Sequence, residues 1–116
     1  MRFALAFVCL SLLVGACGSN DTSSPAAACN SLANTICNKA SQCSLLGTTS
    51  VSTCVTNFET QASCSTQMCP SGKSFNSSAA SQCLSDIGNE SCTDVGNAVI
   101  PNSCQALING STAACQ

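Results

Sequence analysis

The chain has 116 residues, enough for one domain, with 12 cysteines, no histidine, tryptophan or tyrosine, and only 7% charged residues. Its net charge of −2 lacks the basic footprint that nucleic-acid binding requires, so that class is excluded. A cysteine content this high in so short a chain is that of a disulfide scaffold, and no apolar run beyond the N-terminus is long enough to span a bilayer.

Residues 1–16 have the three parts of an export signal: Arg2, an apolar stretch from Phe3 to Val14 broken only by Ser11, and the small residues Gly15 and Ala16. Val14-Gly15-Ala16-Cys17 resembles the lipobox of bacterial lipoproteins. In that family the signal is cut before the cysteine, whose sulfur carries diacylglycerol and whose new amino group can be acylated (palmitate-type chains). The resemblance implies that Cys17 is the lipidation site and the membrane the first partner. An ordinary signal that happens to carry a cysteine near its end is the alternative. Gly18 stands where enterobacterial sorting places Asp for inner-membrane retention, and by that resemblance the expected destination is the outer membrane. Residues 17–24 continue as a small polar run, Gly18-Ser19-Asn20-Asp21-Thr22-Ser23-Ser24, suited to a flexible tether. Loss of the signal removes Arg2 and leaves Lys39 and Lys73 against Asp21, Glu59, Asp86, Glu90 and Asp94, a net −3.

Residues 25–116 are read as a cysteine-rich helical domain. Ser24-Pro25 is a helix-start signal, an N-cap before proline in the first turn. Cys29, Leu32, Ala33, Ile36, Cys37, Ala40 and Cys43 then recur three or four apart and predict a helix over about 26–43. Its cysteines share the apolar face and so should reach other elements rather than each other. Leu45-Leu46-Gly47 is expected to end it, with Gly47 as the cap. Val51, Cys54, Val55, Phe58 and Ala62 predict a second helix starting near Thr49 or Ser50, weak in intrinsic propensity. Cys64 to Asn76 contains Pro70, Ser71 and Gly72 and reads as a loop. Ala80, Cys83, Leu84 and Ile87 predict a third helix over about 77–87, closed by Gly88. Asp94 to Ala98 suggests one or two helical turns, and Pro101 opens a short last helix through Ile108. Period-2 alternation is missing, and Val99-Ile100 is too short to carry a sheet. The expected fold is therefore mainly α, a disulfide-rich domain of about three to five short helices.

Cys9 leaves with the signal and Cys17 takes the lipid. Ten cysteines remain: Cys29, Cys37, Cys43, Cys54, Cys64, Cys69, Cys83, Cys92, Cys104 and Cys115. An even number suits five bridges in an oxidising compartment, whereas an unmodified Cys17 would leave an odd thiol. Spacing cannot choose among on the order of a thousand connectivities. Large apolar residues are few, so a core of this size is marginal without staples of roughly 2–4 kcal/mol each.

Catalytic and metal chemistry find little material. A hydrolytic triad lacks its histidine, and no C-x-x-C knuckle is present for zinc, iron–sulfur or thiol redox work. Cys64, Met68 and Cys69 could offer soft donors to Cu(I), against the simpler use of both cysteines in bridges. Asp86, Glu90 and Asp94, four apart, would share a face of a continuous helix and could do acid–base work or hold Ca²⁺, against a solvated acidic face. Lys39 and Lys73 read as solubilising charges, and Ser71-Gly72-Lys73-Ser74 lacks the rest of a P-loop. Asn76, Asn89 and Asn109 sit in glycosylation sequons, which matter only in a eukaryotic chain. The expectation is no enzyme, no cofactor and no metal.

From Cys37 to about Gly110, the cysteine-bearing helices, the run Ala79-Ala80-Ser81-Gln82-Cys83-Leu84, then Cys92 and Pro101-Asn102-Ser103-Cys104, resemble the small cysteine-rich lipoproteins abundant in myxobacteria. The resemblance implies an anchored envelope domain and carries no catalytic residues. Two functions are weighed: a non-enzymatic structural or protein-binding module of the envelope, or, by analogy with helical disulfide-rich lipid-transfer proteins and elicitins, a small carrier of apolar ligands. The adjacent Cys-Cys and Cys-x-Cys of plant lipid carriers are absent. A continuous apolar cavity between helices would favour the carrier, and a solid core the module.

Overall fold

The computed structural model describes residues 21–108 and Cys115. The signal, Cys17 and Asn109 lie outside those residues. The described chain forms five α-helices: α1 (Pro25–Gln42), α2 (Val51–Ala62), α3 (Ser77–Gly88), α4 (Cys92–Gly96) and α5 (Asn102–Ile108). Its β structure is an isolated antiparallel bridge between Phe75 and Cys115. No helix among the described residues is long and apolar enough to cross a membrane.

Each of the first four helices starts on a side-chain cap. Ser24 Oγ accepts from the Ala27 amide, Ser50 Oγ from Thr53, Asn76 Oδ1 from Ala79 and Ser91 Oγ from Asp94, satisfying donors that the helix itself cannot. The end of α1 differs from expectation. Ser44, not Gly47, takes the left-handed position (φ 58°), with its amide on the Ser41 carbonyl and the Leu45 amide on Ala40. These two bonds make a Schellman turn, which ends the helix at Gln42, five residues before the glycine. Gly47 serves the next turn, where Thr49 bonds back to Leu46. Gly88 is the last residue of α3, but the cap is Asn89 in a right-handed conformation, so no left-handed glycine is used there. The expected loop after α2 opens with a 3₁₀ turn at Cys64–Thr66 and then turns at Pro70–Lys73 on Gly72 (φ 84°).

The longest helix, α1, is the spine against which α2, α3 and α4 pack. Leu32 from α1 meets Leu84 and Ile87 from α3 and the Cys83–Cys104 bridge, with Ile36 and Phe58 at the margin. Alanines fill the close approaches: Ala28, Ala33 and Ala80 are buried. The largest fully buried side chains are cysteines, namely Cys37, Cys64, Cys83 and Cys104. Half-cystines therefore take the core positions that larger aliphatics hold in most domains. Leu45, Met68, Val99 and Ile100 stay exposed and add nothing to it.

All ten domain cysteines are paired: Cys29–Cys64, Cys37–Cys54, Cys43–Cys92, Cys69–Cys115 and Cys83–Cys104. Their Cα atoms lie 4.7–5.8 Å apart, the ordinary spacing of a bridge. Two bridges leave α1 and a third leaves its C-cap Cys43, each for a different element, in keeping with the shared face of these cysteines. Five disulfides in a domain this small belong to a chain that matures in an oxidising compartment outside the cytoplasm.

The last residues of the polar run do more than link. Ser31, buried on α1, donates to the Asp21 carbonyl at 2.7 Å, and the Thr22 and Ser81 hydroxyls share a hydrogen bond of 3.1 Å. The Ser23 amide donates to Asp21 Oδ1, which holds that carboxyl below its usual range. Residues 21–24 thus lie along α1 and α3.

Candidate functional site

The Schellman turn at the end of α4 shapes an apolar groove. Ala98 adopts the left-handed conformation (φ 54°), its amide bonds to Val95 and the Val99 amide to Asp94. The chain then folds back so that Val99, Ile100 and Pro101 form one wall. Ile36 of α1, Phe58 of α2 and Ile87 of α3 form the floor, where the core opens at its end. The volume is about 350 Å³, at the small end of ligand pockets, and the groove is open along one side.

Two charged residues stand among this apolar lining, Lys39 and Glu90. Lys39 Nζ donates to the Gly88 carbonyl at 3.0 Å, so the ammonium also complements the C-terminal end of α3. Glu90 follows α3 directly. Burial pushes its carboxyl up from the ordinary value and Asp94 adds to this, while Lys39 opposes it.

The three acidic residues do not form one site, although Asp94 lies near enough to Glu90 to act on it. Asp86 accepts from Gln82 Nε2 (2.8 Å) and Ser103 Oγ (2.6 Å), which docks α5 on α3. Asp94 accepts from Ser91 Oγ and belongs to the start of α4. The chain leaves α3 at Gly88, which is why the four-residue spacing produces no common face. Cys64 and Cys69 sit in different bridges, so neither offers a thiolate to copper beside Met68. No group of three or more metal-donating side chains forms among the described residues. Asn76 is spent on capping α3, and Asn89 caps its other end.

Sequence reasoning placed Ile36, Phe58 and Ile87 in a core and Lys39 among solubilising charges. It missed the wall from Val95 to Pro101. The available signal was Val99-Ile100-Pro101, an apolar run with no helix to bury it.

No protein family, curated protein or solved structure matches the chain.

Proposed function

We propose that the chain is a bacterial lipoprotein, anchored through Cys17 in the envelope, with the outer membrane as its destination, and that its domain is a non-enzymatic binding module. The observation that carries this reading is parity: ten cysteines close into five bridges, which leaves Cys17 as the one cysteine after the signal with another role. The lipobox-like Val14-Gly15-Ala16-Cys17 and the resemblance to small cysteine-rich lipoproteins supply the role. Several acyl chains hold a protein where one is marginal. The intact mass of the exported protein tests it. A chain beginning at Cys17, carrying diacylglycerol and lacking ten hydrogens to disulfides, is expected; a start elsewhere, or an unmodified residue 17, refutes the anchor.

The apolar groove favours ligand binding over a purely structural module. Its floor is continuous with the core, and its wall presents Val99 and Ile100 to solvent, where they cost hydration free energy unless covered. Ile36 and Phe58 pack against the core and also line the groove, so a ligand would lie along the outer face of the helices at the margin of the core.

A further inference from the structure

We propose that the groove holds the single alkyl chain of a zwitterionic amphiphile, a lysophospholipid with an amine-bearing head, and that Lys39 and Glu90 receive the two charges of that head. This rests on reading the groove as an apolar-ligand site. Size suits one alkyl chain: about 350 Å³ lies within the groove itself, so a second chain would have to remain in solvent. Shape sets its orientation, because a groove open along one side leaves a polar head at the mouth in water while the chain lies on Ile36, Phe58 and Ile87.

Charge selects the head. Of the residues lining the groove, one is cationic and one anionic. A fatty-acid carboxylate meets Lys39 but lies against Glu90, with Asp94 behind it. A cationic amphiphile meets Glu90 but lies against Lys39. A head with phosphate and ammonium pairs with both. Lys39 is suited to the phosphate: an ammonium has three protons, and the bond to the Gly88 carbonyl uses one while holding the side chain in place. Glu90 is one residue past the Asn89 cap and lines the groove, where burial and Asp94 disfavour its charge more than Lys39 relieves it. An ammonium there relieves both effects.

Photo-crosslinking to the full exported chain in its membrane tests this. Three probes carry the same diazirine-bearing acyl chain on different heads: lysophosphatidylethanolamine, the free fatty acid and the monoacylglycerol. The zwitterionic probe should label the groove walls about tenfold more than the fatty acid at equal loading, the value of one charge-assisted hydrogen bond. Lys39→Met and Glu90→Gln should each lower that labelling by about tenfold while leaving the monoacylglycerol unchanged. Equal labelling by all three probes overturns the head assignment and leaves the apolar site standing. Absence of groove labelling by every probe, with Val99→Asp no different from the parent, overturns both.

Discussion

The two helices that flank α1 are held to it by different physics. α2 has no buried residue, and its attachment runs through Cys37–Cys54 and, just past its end, Cys29–Cys64. α3 has no covalent link to α1; it buries Ala80, Cys83, Leu84 and Ile87 and is tied by Lys39 to Gly88 and by Thr22 to Ser81. A polar helix such as α2, rich in Ser and Thr, forms too weakly to stay docked by its own surface, so bridges supply what burial does not. For small exported domains the lesson is that a disulfide lets a helix be part of the fold while offering the core only a half-buried contact, here Phe58.

That contrast can be broken in order of expected effect. Replacing Cys37 and Cys54 together by alanine should cost about 3 kcal/mol, from the freed loop. Amide exchange in α2 should become fast while α3 keeps its protection; equal loss in both would show that the helices are not independent. Leu84→Ala should cost about 3 kcal/mol by cavity formation, with all five bridges still formed, measured by thermal melting of the oxidised protein. A smaller and opposite change is expected at Ala98, whose left-handed backbone suits glycine: Ala98→Gly should stabilise by about 1 kcal/mol, and a lowered melting temperature would contradict the turn. Glu90→Gln should have the least effect. A carboxyl whose value is raised in the fold destabilises it as pH climbs past the unfolded value, so the variant should melt slightly higher at neutral pH and match the parent in acid.

The helices were legible because their starts are chemical: Ser24 before Pro25, Ser50 before Val51 and Asn76 before Ser77 each cap the helix that the apolar spacing predicts. Ends were less legible, since Ser44 and Ala98 take left-handed conformations that their types do not advertise and that only the closing hydrogen bonds stabilise. The even count of domain cysteines was readable, but the pairing was not. Cys29 and Cys64 are 35 residues apart and Cys43 and Cys92 are 49 apart, distances that only the packing of helices removes. The groove was hidden for the same reason: Ile36, Phe58 and Ile87 look like core in any helical reading, and only the turn at Ala98 brings Val99 to Pro101 alongside them. Lys39 gave no sign of its partner because that partner is a backbone carbonyl 49 residues away.

Half-cystines filling the place of a conventional core is the claim on which the fold depends, and peptide mapping of the unreduced, exported protein addresses it most directly. Linked peptides should join Cys29 to Cys64, Cys37 to Cys54, Cys43 to Cys92, Cys69 to Cys115 and Cys83 to Cys104. A different pairing, or alkylation of any of these ten without reductant, would contradict it.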